Sequence, residues 1–143
     1  MYKVLLVDDE YMITEGLKRL IPFKQWDMEV VATANHADDA LDYVREHPVD
    51  IVISDVNMPD KTGLEMIHEM KDLLPNAYYI MLSGYQEFDY VKKAMNLSVV
   101  DYLVKPVDKV ELGNLLEKIA SQLGEKTGEP LVLSQTLDEA TLL

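Results

Sequence analysis

Two kinds of apolar spacing alternate along this chain, and that alternation limits the folds open to it more than any other feature. Short runs rich in Val, Ile, Leu and Tyr occur at KVLLV (3–7), MEVVATA (28–34), DIVIS (50–54), AYYIML (77–82) and VVDYLV (99–104). Several are continuous rather than alternating, as in strands buried on both faces. Between them, apolar residues recur three and four apart. Ile13, Leu17, Leu20 and Ile21 share one face, as do Ala37, Ala40, Leu41 and Val44. Leu64, Ile67, Met70 and Leu74 follow, then Phe88, Val91, Ala94 and Met95. Val110, Leu112, Leu115, Leu116, Ile119 and Leu123 mark a fifth segment. This is the period of an amphipathic helix. Pro22, Pro48 and Pro75 fall where the first three helices must have ended. Five strand-then-helix units predict an α/β fold, a doubly wound five-stranded parallel sheet with five helices on its two sides.

In such a sheet the working site lies beyond the C-terminal strand ends, where the strand order reverses. The residues just past each strand therefore carry the functional information. Asp8, Asp9 and Glu10 follow the first strand, Asp55 the third, Ser83 and Gly84 the fourth, and Lys105 and Pro106 the fifth. The second runs into Ala34 and Asn35, which carry no strongly reactive group. Placing that strand at the edge gives the order 2-1-3-4-5 and makes the acid-bearing first and third strands neighbours. Carboxylates crowded on adjacent tips repel one another, and a hard divalent cation among them relieves the repulsion. Donors that are all oxygen suit Mg²⁺. Asp55 is then placed to act as a nucleophile on phosphorus, with Lys105 supplying positive charge to one phosphoryl oxygen and Ser83 a hydroxyl to another. No GxxxxGK[ST] loop is present, which argues against ATP hydrolysis. Singly, these residues have plainer readings: helix-start acids, a turn aspartate, a capping serine and a solvated lysine. Their coincidence on four of five strand tips favours the functional reading.

Composition narrows the partners. The 143 residues carry 26 acids against 13 bases, a net charge of −13, so this chain alone is not expected to bind nucleic acid, which needs a basic face. There is no cysteine, which excludes disulfides and thiolate chemistry. The opening MYKVLLVDDE has too short an apolar run for a signal peptide or a membrane span, so a cytoplasmic protein with no membrane association is expected.

The motifs LLVDDE, DIVISDVNMPDKTG, MLSGY and DYLVKPV, in this order and spacing, resemble the receiver domain of two-component response regulators. The resemblance covers residues from about 1 to about 123 and implies a flavodoxin-like fold. It implies that Asp55 is the phospho-acceptor, taking a phosphoryl group from a phosphohistidine on a sensor histidine kinase. It makes Asp9 a direct Mg²⁺ ligand, Asp8 a ligand through water, and Asn57 a ligand through its backbone carbonyl. Lys105 pairs with the phosphoryl group, and its bond to Pro106 is often cis in relatives. Ser83 and Tyr102 take the two switch positions, which remodel the surface of helix 4, strand 5 and helix 5 in the family. A homodimer through that surface is expected. SGYQEFDYVKKA, opening the fourth helix, resembles receivers joined to AraC-type DNA-binding output domains.

From Gly124 the chain changes character. GEKTGEP reads as a linker, giving a receiver over 1–123 and a linker or tail over 124–143. Thr136 with Glu139 fits a capping box for a last helix, and the stretch fits equally a frayed end or the start of an output region. Nothing after Gly124 is long or basic enough for two helix-turn-helix units, so the chain reads as a receiver cut from a transcription factor or as a stand-alone receiver. Two other functions compete. A haloacid-dehalogenase-like phosphatase needs a second carboxylic acid two residues after its nucleophile, and Asn57 stands there. An unphosphorylated pseudo-receiver would serve only as an interaction module, but all the acids and Lys105 are present.

Overall fold

The computed structural model describes residues 1–84 and 101–127. The chain divides into two compact units, Met1–Lys109 and Val110–Leu143. The first carries β1 (Tyr2–Val7), α1 (Tyr11–Leu20), a 3-10 helix (Phe23–Trp26), β2 (Met28–Ala34), α2 (Ala37–Glu46), β3 (Ile51–Asp55), α3 (Gly63–Leu73), β4 (Tyr78–Ser83) and β5 (Asp101–Val104). The helix α4 (Lys109–Thr127) belongs to the second unit for all but its first residue. The predicted fourth helix, with Phe88, Val91, Ala94 and Met95, lies outside the described residues.

The five strands form one parallel sheet in the order β2-β1-β3-β4-β5, the order and edge placement the sequence predicts. The register levels the strand tips. Val7 stands opposite Ser54, so the next residues, Asp8 and Asp55, emerge side by side. Asp55 pairs with Leu82 and Ser83 with Val104, which brings the fourth and fifth tips to the same level. Strand residues of both parities are buried, as the continuous apolar runs require. Leu5, Val7, Val52, Tyr79 and Met81 form one cluster with Ala37, Ala40, Leu41 and Val44 of α2 and Leu64, Met66, Ile67 and Met70 of α3.

Among the described residues, the predicted helical faces hold with two corrections. Leu20 is 63% exposed, because α1 ends there and Ile21, four residues after Leu17, takes the buried place. Val110 is 70% exposed, since the buried residues of α4 are Leu112, Leu116, Ile119 and Leu123, and a residue two positions before Leu112 lies on the far side of a helix. The helix also runs on through Gly124 to Thr127, four residues into the stretch expected to be a linker. A glycine lowers helix stability by about 1 kcal/mol but does not forbid the turn, as proline does. A capping box that the sequence reading passed over starts α3: the Thr62 hydroxyl accepts from the Glu65 amide at 3.2 Å, and the Thr62 amide donates to Glu65 Oε1 at 3.1 Å.

Candidate functional site

Each side chain of the site is set by how its strand ends. The Asp8 amide donates to the Ala34 carbonyl at 3.0 Å, continuing the β1–β2 ladder by one residue. Its carboxylate then accepts the Glu10 amide at 2.9 Å, turning the chain into α1. Asp8 is thereby 2% exposed, while Asp9 and Glu10 face solvent. Asp55 ends β3 and is 4% exposed. Beyond it the Val56 amide donates to the Leu82 carbonyl at 2.9 Å, and the Gly63 amide returns to the Val56 carbonyl at 2.8 Å. On β5, the Lys105 amide donates to the Ser83 carbonyl at 2.6 Å, and the Lys105–Pro106 peptide is cis.

These endings aim three charged groups at one point. The Lys105 ammonium lies 2.8 Å from Asp8 Oδ2, 3.3 Å from Asp55 Oδ1 and 3.6 Å from Glu10 Oε1. Burial first, and the Asp8 charge second, push Asp55 up to about 6 against the pull of Lys105. Burial also raises Asp8, although the Lys105 ammonium and the Glu10 amide oppose it. For Lys105, burial works against the charged form, but the carboxylates of Asp8 and Asp55 outweigh it and its pKa rises. The site in this state is a buried acidic pair whose repulsion one lysine offsets only in part.

The donor set fits a hard divalent cation. Asp8, Asp9 and Glu10 each offer a carboxylate oxygen, and these lie within 4.8 Å of one another. Oxygen donors without sulfur or imidazole suit Mg²⁺. The unrelieved negative charge at Asp8 and Asp55 is what such an ion would neutralise.

The other predicted site residues fall around this centre. Ser83 is fully buried at the end of β4. Tyr102 is half-buried on β5 and packs against the core cluster. Asn57 is half-buried, two residues past Asp55. Two contributors escaped the sequence reading. The Glu10 ion pair with Lys105 depends on how close the first and fifth strand tips come in space, which no local signal gives. Gly63 is required because a β-carbon there would overlap the Asp55 carbonyl oxygen and lie 2.9 Å from Met81 Cε. Its signal was available, as a glycine between a capping threonine and an apolar helix face in DKTGLEMI.

A doubly wound α/β protein with an acidic site at the switch point, closed by a lysine from the last strand, is the class this fold and site define. The chain belongs to the response regulator receiver domain family, whose model matches residues 4–117. It is 38% identical over 126 residues to an uncharacterized response regulatory protein of Staphylococcus epidermidis, covering 88% of this chain and 49% of that protein. It is 36% identical over 129 residues to the transcriptional regulatory protein HptR of Staphylococcus aureus, covering 90% and 50%. The chain thus spans about half the length of these curated relatives. Among solved structures, the REC domain of AraT, a response regulator from Geobacillus stearothermophilus, superposes with a TM-score of 0.83 at 37% identity, covering 88% of this chain and 98% of that one. A response regulator receiver domain protein from Clostridium thermocellum superposes at 0.77 with 28% identity, covering 88% and 99%. Among the described residues, no helix is long and apolar enough to cross a membrane.

Proposed function

We propose that this chain accepts a phosphoryl group on Asp55 from a phosphohistidine of a sensor histidine kinase, in a Mg²⁺-dependent reaction in the cytoplasm, and thereby switches an output that controls transcription. The observation that carries this reading is the Lys105 ammonium held between Asp8 and Asp55 at adjacent strand tips. A half-buried lysine 3.3 Å from a strand-tip carboxylate is placed to follow the charge when that carboxylate gains a phosphoryl group.

Asp55 is the nucleophile. Its carboxylate oxygen forms a bond to phosphorus as the donor's phosphorus–nitrogen bond breaks, and the departing imidazole nitrogen keeps the electron pair and takes a proton. Asp8, Asp9, Asp55 and the Asn57 carbonyl would hold Mg²⁺, which when bound neutralises the acids and the phosphoryl oxygens. Lys105 balances the charge of one phosphoryl oxygen, and the Ser83 hydroxyl donates to another. Hydrolysis of the aspartyl phosphate at the same residues returns the switch to its starting state. The added charge of about −2 at Asp55 is the signal. Ser83, one strand away, and Tyr102, one strand further, transmit it to the β5 surface. Transcription as the output is supported by the transcriptional regulatory relatives, which are about twice as long as this chain.

The test is the intact mass after incubation with acetyl phosphate and Mg²⁺. A gain of about 80 Da, abolished by EDTA and by Asp55→Asn, is expected for one phosphoryl group. A label retained in Asp55→Asn would overturn the assignment of the nucleophile.

A further inference from the structure

The loop from Asn57 to Thr62 connects the phospho-acceptor strand to α3, and its tethers are few. Val56 is fixed to Leu82 and Gly63 to Val56 by backbone hydrogen bonds at the loop's two ends. Between them, the Lys61 amide bonds only within the loop, to the Pro59 carbonyl at 2.8 Å, and Thr62 bonds forward to Glu65 of α3. The Lys61 side chain reaches further. Its ammonium lies 2.6 Å from Glu69 Oε2, two turns into α3, and 3.2 Å from Asp38 Oδ1 in the first turn of α2. Among the described residues, no other ion pair joins this loop to α2. The pairing with Glu69 and then Asp38 raises the lysine's pKa, so it stays charged throughout the physiological range.

We propose that Lys61 is a positioning residue for the phosphorylation site, clamping the loop that carries the Asn57 carbonyl against α2 and α3. The inference rests on the proposed function, which places that carbonyl at the metal. Lys61 touches no reacting group. It acts by restricting where a loop with free backbone between its ends can stand, so that less order has to be imposed when the ion binds. Asp38 and Glu69 are 76% and 46% exposed, which makes the clamp sensitive to salt. The phosphorylation site then acquires a dependence on ionic strength beyond that of its own charges.

The experiment compares wild type with Lys61→Met, Lys61→Arg and the charge-reversed double variant Lys61→Glu with Glu69→Lys. Mg²⁺ affinity is read by calorimetry, and the rate of labelling by acetyl phosphate is read against Mg²⁺ concentration. The expected result is a two- to fivefold weaker Mg²⁺ affinity in Lys61→Met, the range of one or two exposed ion pairs, with little change in the rate at saturating Mg²⁺. Lys61→Arg should restore the affinity, the double variant should restore part of it, and the difference from wild type should collapse in 0.5 M KCl, a concentration of about 4 Å screening length. A lowered melting temperature with unchanged Mg²⁺ affinity would overturn the clamp and leave Lys61 with a role in stability alone. Failure of the wild type to label on Asp55 would overturn the underlying reading instead, so the two failures are distinct.

Discussion

Gly63 lies against the backbone carbonyl of Asp55 so closely that a β-carbon on it would overlap the oxygen. The start of α3 is therefore packed onto the residue proposed to react. Gly63→Ala is expected to lower stability by about 1–3 kcal/mol, the usual cost of overpacking, because the obstructing atom is backbone and cannot rotate away. It should also reduce labelling of Asp55 by acetyl phosphate in the protein that remains folded. Urea denaturation and intact mass on one preparation separate the two effects.

The raised pKa of Asp55 predicts how stability depends on pH in metal-free protein. Its ordinary value is 3.8 and its folded value about 6, so the folded state holds this proton more tightly than the unfolded chain. Stability from this group is fully present below the unfolded value and is lost as pH rises to about 6. Asp55→Asn removes that loss. In EDTA at pH 7 the variant should be more stable than wild type by on the order of 2 kcal/mol, and the gain should shrink as pH falls through 6 towards 4. Denaturant midpoints across this range provide the check, and a constant difference would contradict it.

Proton competition at the same group bears on the reaction. In the proposed reaction Asp55 must be ionised to attack phosphorus or to hold Mg²⁺, and burial keeps its proton on up to about pH 6. Mg²⁺ affinity measured by calorimetry should be near its plateau at pH 7.5 and should fall roughly tenfold per pH unit well below 6 if one proton is displaced. In Asp55→Asn this dependence should flatten.

Tyr79 offers a stability test below the strand tips, opposite Val52 in the sheet. It is 1% exposed, its hydroxyl donates to the Leu74 carbonyl at 2.7 Å, and burial pushes its pKa up to about 12. Tyr79→Phe should cost about 1 kcal/mol, since it removes the short hydrogen bond to the Leu74 carbonyl just past α3 and leaves that oxygen only the Ala77 amide at 3.4 Å. The folded state keeps this proton above the ordinary value of 10, so stability should fall as pH rises from 10 to 12, and that part of the fall should vanish in the phenylalanine variant. Absorbance of ionised tyrosine against pH, followed beside circular dichroism, measures both.

Asp60 has φ of 70°, in the left-handed region that suits glycine better than residues with a β-carbon. Asp60→Gly should relieve that strain at the cost of a more flexible unfolded chain, for a net change within about 1 kcal/mol, whereas Asp60→Val should destabilise by about 1–2 kcal/mol. Thermal melts of the two variants give the sign and size.

Much of the architecture was legible from residue order. The short Val- and Ile-rich runs set strands, the three- and four-residue spacings set helices, and the prolines marked three helix ends, because these are local consequences of geometry and burial. The acids after KVLLV and DIVIS and the lysine after DYLV were legible for the same reason: a residue just past a parallel strand sits at the site edge whatever its neighbours are. Leu20 was misplaced because periodicity alone gives a face and not the point where the chain leaves the helix, and Val110 because a residue two positions before Leu112 stands off the buried face.

The strand order was legible in this way, but the register and the distances across the sheet were beyond the sequence. The register Val7 to Ser54 levels Asp8 with Asp55, and only the folded sheet brings the Lys105 ammonium, 97 positions along the chain, within 2.8 Å of Asp8. The overlap that excludes a side chain at Gly63 and the reach of Lys61 to Asp38 arise in the same way. Sequence by itself determined which groups stand at the strand ends. The tertiary structure decided which of them share a point in space, because distances and desolvation between residues far apart in the chain exist only once the sheet has closed its register and its helices have packed.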